Sequence, residues 1–215
     1  MAWFQLDPQS LAGRVRTAAG PTRPPTLAAS VLRGVAGFTL MSVAGFAPWA
    51  FFARWFYRRV GEAALYASCA AVFIGLSGLL LHRLMIGPGS MRRFYKLFAF
   101  AFAAYAIVWT VCWMWLGADS GSIAGLLGGT GVMGAMLAFA FDAQRQVLKI
   151  IAALFVLSSL GYYAGEWIYW ELAPWHPLAA MLLWGVFYGI GFGAGLGLAF
   201  YLCQSSARAL IAPEG

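Results

Sequence analysis

Between Gly34 and Cys203 one pattern recurs six times: a run of mainly apolar residues followed by a short polar connection. Each run is about 20 residues long, enough for a helix rising about 1.5 Å per residue to cross the roughly 30 Å hydrocarbon core of a bilayer. The pattern predicts spans at 34–53, 62–81, 97–117, 122–141, 148–168 and 178–203. Transmembrane β-strands alternate apolar and polar positions, whereas the stretch from Leu97 to Trp109 stays apolar throughout, so the spans are helices. The fold class is therefore an all-α integral membrane protein, a six-transmembrane-helix bundle spanning 34–203.

Residues 1–33 read as an interfacial segment and linker, and 204–215 as a C-terminal tail. Trp3, Phe4, Leu6 and Leu11 stand beside Arg14 and Arg16, ahead of a Pro-rich piece from Pro21 to Pro25 that cannot continue a helix. Two forms fit the first segment, a short interfacial helix or a loosely ordered tail. The first apolar run starts too late and is too long for a cleaved signal peptide, and reads as a retained first helix. Pro48 is expected to kink that helix.

Composition agrees with the pattern. Hydrophobic residues make up 62% of the 215 residues and charged residues only 10%; mean hydropathy is +0.77. A net charge of +7 would suggest nucleic acid in a soluble protein. Here the basic residues occupy connections, where orienting the helices accounts for them, and no nucleic-acid partner is expected. Cys69, Cys112 and Cys203 have no metal-site spacing and read as small buried hydrophobes. No metal or cofactor is expected.

The connections also assign a direction. Arg14, Arg16, Arg23, Arg33, Arg83, Arg92, Arg93, Lys96, Arg145, Lys149 and Arg208 fall on one side, and only Arg54, Arg58 and Arg59 on the other. Under the positive-inside bias both termini are cytoplasmic. Arg-rich, Ala- and Gly-rich usage points to a bacterial cytoplasmic membrane. Trp49, Trp55, Trp109, Trp113, Trp115, Trp167, Trp170, Trp175 and Trp184 then lie in or near the outer half, leaving Trp3 alone inside. Either Trp anchors one interface while Arg anchors the other, or the tryptophans surround an outward-facing aromatic cavity. The candidates for that cavity are Trp49, Trp109, Trp113, Trp167, Trp170 and Trp184.

Small residues four apart give a helix a bare stripe along which another backbone approaches closely. Gly125 with Gly129, and Gly189 with Gly193 and Gly197, form such stripes for a helix of the same chain or of a second protomer. Short echoes between residues 70–77 and 152–159, and between 35–38 and 123–126, suggest a 3+3 inverted repeat, an arrangement found in transporters. Against it, the third span lacks the glycines of the sixth.

The span cores carry no ionisable residue at depth, which disfavours proton relays, catalytic carboxylate pairs and intramembrane metal clusters. His82 and His176 lie at opposite faces and cannot share a haem. The one mixed-charge group is on the outer side: Arg54, Arg58, Arg59, Glu62, Glu166, Glu171 and His176, a candidate anion or headgroup site. If its segment is helical, Arg54 and Arg58 share a face and Arg58 precedes Glu62 by four. Two functions fit best, a channel- or transporter-like protein for a small solute or lipid, or a non-catalytic subunit of a larger membrane complex binding partners, lipid or pigment; an intramembrane enzyme ranks third, because no nucleophile-and-base arrangement is visible. Expected partners are the bilayer itself and either a second copy or other membrane subunits.

Overall fold

A computed structural model describes residues 4–18 and 24–211; Trp3, Arg23 and most of the Pro-rich piece lie outside the described residues. The elements are α1 (Pro8–Arg16), α2 (Leu27–Arg59), α3 (Glu62–Leu81), α4 (Ser90–Leu116), α5 (Ala118–Ala140), α6 (Val147–Leu172), α7 (Pro177–Cys203) and α8 (Ser205–Ile211). Six of these, α2 to α7, are long and apolar enough to cross a membrane. Leu40, Leu79, Phe100, Ile107, Leu127 and Leu160 are exposed on the outside of the bundle, as a lipid-facing surface requires.

Helix ends follow local chemistry more than hydropathy. Thr26 caps α2, its hydroxyl accepting from the Ala29 N–H at 3.2 Å, so α2 begins seven residues before the predicted span and carries Arg33 within it. Pro48 lies inside α2, which runs on to Arg59. There Gly61, at φ +92°, reverses the chain into α3. That break removes the helical relation between Arg58 and Glu62, so their spacing of four does not place them on one face. Gly117, at φ +80°, is the only residue between α4 and α5. A left-handed backbone angle there favours glycine, which has no Cβ to clash.

Consecutive helices pack side by side from α2 round to α7, and α7 packs back on α2, so the six spans close a ring in chain order. Glycine sets the tightest seams. A Cβ on Gly193 would lie 2.4 Å from the Gly34 carbonyl oxygen, and one on Gly197 2.5 Å from that of Ser30, so α7 meets α2 backbone to backbone. On its opposite side, a Cβ on Gly191 would lie 2.4 Å from the Leu157 carbonyl oxygen of α6. Gly125 and Gly129 serve α5 against Trp109 and Tyr105 of α4. The stripes identified in the sequence thus meet helices of the same chain.

The first segment is helical. Asp7 caps α1, its carboxylate accepting the Ser10 N–H at 2.9 Å, and hydrogen bonds from the Ser10 hydroxyl first and its N–H second hold the carboxyl below its ordinary range. Leu6, Leu11 and Ala12 are buried, and α1 packs against α8, where Arg16 donates to the Leu210 carbonyl at 2.9 Å. Both terminal helices lie at one end of the ring, hereafter the terminal end.

Gln204 closes that end. Its side chain is 1% exposed, accepts the Ile86 N–H at 2.8 Å and donates to the carbonyls of Leu84 and Phe200, both at 2.9 Å. It therefore bolts the α3–α4 connection to the end of α7. Gln204→Leu leaves the Ile86 N–H and the Leu84 carbonyl buried without this partner, each worth about 1–3 kcal/mol. The expected result is a clear drop in the unfolding temperature of the detergent-purified protein; an unchanged melting curve would show that the bolt is dispensable.

Candidate functional site

The ring encloses a cavity of about 300 Å³ at the end away from the termini. Five helices line it, α2, α3, α4, α6 and α7; α5 stays outside. The glycine stripe of α5 explains the exclusion. With no side chain on α5 at Gly125 and Gly129, Trp109 and Tyr162 meet directly across the front of α5, ring centroids 6.1 Å apart. Ser122 of α5 reaches only as far as the Tyr162 hydroxyl, 3.1 Å away.

Aromatic rings run round the cavity from helix to helix. Trp49 of α2 meets Tyr66 of α3 edge to face at 5.2 Å, and Tyr66 meets Trp109 of α4 at 6.5 Å. Beyond Tyr162 of α6 the belt continues to Trp184 of α7 at 5.5 Å, and returns to α2 through Phe46 at 6.0 Å. Such pairs hold by edge-to-face electrostatics as well as by area. The indole N–H groups of Trp109 and Trp184 are buried without a hydrogen-bond partner. These two indoles thus offer the cavity ring carbon, their N–H groups being hidden from water.

The floor lies deep. Tyr105 and Tyr188 line it, their hydroxyl oxygens 3.0 Å apart. Tyr188 is eleven positions beyond Pro177, the first residue of α7, or about 16 Å along the helix, roughly half of a 30 Å core. Below it, Phe38 stacks on Phe192 at 4.4 Å, and Phe94, Phe98 and Phe102 of α4 stack on one another at 5.3 and 5.2 Å. Phe200 and Phe141 continue the column toward the terminal end. Phe38, Phe94, Phe98, Phe141, Phe192 and Phe200 are all fully buried. The cavity is a blind well above a phenylalanine plug.

One ionisable carboxylate enters the wall. Glu166 shares a face of α6 with Tyr162, Tyr169 and Trp170, four before and three and four after it, and all four line the cavity. Glu166 is partly buried, and the charged side chain acting on it is another carboxylate, Asp119. No Arg, Lys or His is among the lining residues.

The candidate residues separate accordingly. Trp49, Trp109, Trp113, Trp170 and Trp184 line the well, Trp170 from an exposed position at its rim, while Trp167 is not among the lining residues. Arg54, Arg58 and Arg59 sit exposed on the last turns of α2, Glu62 opens α3, and Glu171 and His176 are exposed at the α6–α7 connection. None of these six lines the well, so the mixed-charge group is divided, with Glu166 alone inside. His82, at the other end, is 2.7 Å from the Gly78 carbonyl oxygen through Nδ1. Among the described residues no three His, Cys, Asp or Glu side chains come together as a metal site would require.

Counting tryptophans missed the tyrosines. Tyr66, Tyr105, Tyr162, Tyr169 and Tyr188 supply much of the well. Helical spacing was the available signal, since Tyr105, Trp109 and Trp113 repeat every four residues along α4. No known family, curated protein or solved structure matches this chain.

Proposed function

We propose that this chain is a carrier-like membrane protein that takes a small solute with a largely apolar body into the aromatic well from outside the cell. The observation that carries the reading is the well itself: walled by five helices, about half a membrane deep, and stopped by buried phenylalanines. A protein serving only as scaffold would gain packing by filling that space, since interiors ordinarily leave few voids larger than a water molecule. In this reading the basic terminal end is cytoplasmic and the membrane is a bacterial cytoplasmic membrane. With that orientation the well faces outward and the plug closes it inward. An inverted 3+3 repeat would supply the complementary state by exchanging the roles of the two halves.

Accessible sulfur provides the test. Cys69 lines the well, whereas Cys203, 2% exposed, is buried at the terminal end. In right-side-out vesicles carrying single-cysteine variants, a membrane-impermeant thiol reagent added outside is expected to modify Cys69 and spare Cys203. Ala106→Trp, which puts an indole into the space, should slow the Cys69 reaction at least about tenfold. A Cys69 that reacts only after denaturation would overturn the reading.

The subunit reading has its own observation: Trp115 and Trp175 are 85% and 79% exposed at the far end, outside the well. Aromatic residues are enriched where proteins meet. Recovery of one partner at fixed stoichiometry after mild solubilisation, lost on Trp115→Ala, would favour it.

A further inference from the structure

We propose that the well binds an organic monocation, a quaternary ammonium or protonated amine with a small apolar body, held between Glu166 and the faces of the aromatic belt. The inference rests on the well being a ligand site and adds the chemical class of its occupant. Three features of the wall point to it.

The first is the sign of the charge. Glu166 is the one lining residue with a formal charge at neutral pH, and Asp119 nearby has the same sign. A neutral or anionic ligand entering the well would strip water from the partly buried Glu166 and leave it with no counter-charge, which opposes binding. A monocation supplies that charge.

The second is the lining. Aromatic faces carry the negative lobe of the ring quadrupole, and a cation whose charge is spread over alkyl groups is the species they attract without requiring hydrogen bonds. The unpaired N–H groups of Trp109 and Trp184 are turned away from water, so these indoles present ring surface in place of donors that would suit an anion. At about 300 Å³ the well is at the small end of ligand sites.

The third is the surrounding field. The terminal end is strongly basic, while the far end sets Glu62, Asp119, Glu166 and Glu171 against Arg54, Arg58 and Arg59. The three arginines are exposed and outside the lining, where solvent screens them.

Five wall tryptophans give a direct readout. The full-length protein in detergent would be titrated with choline, with benzyltrimethylammonium, and with 3,3-dimethylbutan-1-ol, which copies choline without its charge. Saturable quenching of tryptophan fluorescence and slowed modification of Cys69 are expected for the cations, with the alcohol at least about tenfold weaker. Glu166→Gln should bring choline down to the level of the alcohol at an unchanged unfolding temperature. Equal binding of choline and the alcohol, or cation binding indifferent to Glu166→Gln, would overturn the cationic class while leaving the well a ligand site. No saturable signal from any of the three, with Cys69 still reachable from outside, would overturn it as well. A Cys69 unreachable from outside is the separate failure that removes the carrier reading itself.

Discussion

Gly193→Ala is expected to take apart the α2–α7 seam and to lower the stability of the protein sharply. The new Cβ would lie 2.4 Å from the Gly34 carbonyl oxygen and 2.9 Å from the Val35 Cα, closer than such atoms approach. Both obstacles are backbone, so no side-chain rotation relieves them and the two helices must separate. Separation is costly because the seam continues in both directions. Gly189 faces Thr39 and Gly197 faces Ser30 along the same register, and their close contacts loosen together. Overpacking in a core costs about 1–3 kcal/mol, and the upper end is expected here. Gly131→Ala is the control. Nothing lies within 4 Å of its added Cβ, so only helix propensity acts, worth about 0.5–1 kcal/mol in favour of alanine. Thermal unfolding in detergent should move in opposite directions for the two variants. Equal shifts would mean that the seam tolerates separation and does not hold the ring closed.

The contrast between these two glycines also marks how far the sequence could be read. Six apolar runs specified six helices because a span needs only length and hydropathy. Their ends were less legible. The helix α2 starts at Leu27 because Thr26 caps it and Arg33 can ride on a helix that leaves the hydrocarbon, whereas charge alone placed the boundary after Arg33. The stripe of Gly189, Gly193 and Gly197 was visible from spacing. That Gly191 and Gly195 form a second stripe against α6 was not, because a glycine-rich run does not say which neighbour takes which face.

The well was half visible. Tryptophans crowd one end of the predicted topology, but membership of the wall depends on how each helix is rotated, which close contacts elsewhere decide. Trp167 and Trp170 differ by three positions; one lies outside and the other lines the well. Glu166 lay among the outer charges by sequence and was grouped with the arginines by proximity to a loop. The ring closure of α2 on α7 sets it opposite tryptophans and tyrosines instead. Long-range pairing of that kind leaves no trace in one sequence.

Phe192→Ala should cost about 3–5 kcal/mol without opening a pore. Phe192 is fully buried where the floor of the well meets the plug, stacked on Phe38 at 4.4 Å and against Tyr105 and Tyr188 at 5.2 and 5.5 Å. Truncation strips these rings of their common neighbour. The Tyr105–Tyr188 pair above can sink into the space, so the floor of the well drops and its mouth is unchanged. Phe94, Phe98 and Phe200 remain beneath, all fully buried and stacked in one column, so the path to the terminal end stays dry and closed. Phe192→Leu keeps most of the volume and should recover much of the stability while leaving the floor in place. Unfolding temperatures of the two variants measure the first effect, and bilayer conductance measures the second. A stable Phe192→Ala protein would remove the plug as a structural element. An ion-conducting one would make Phe192 the gate of a channel and turn the reading from a carrier that faces outward to a pore held shut by one ring.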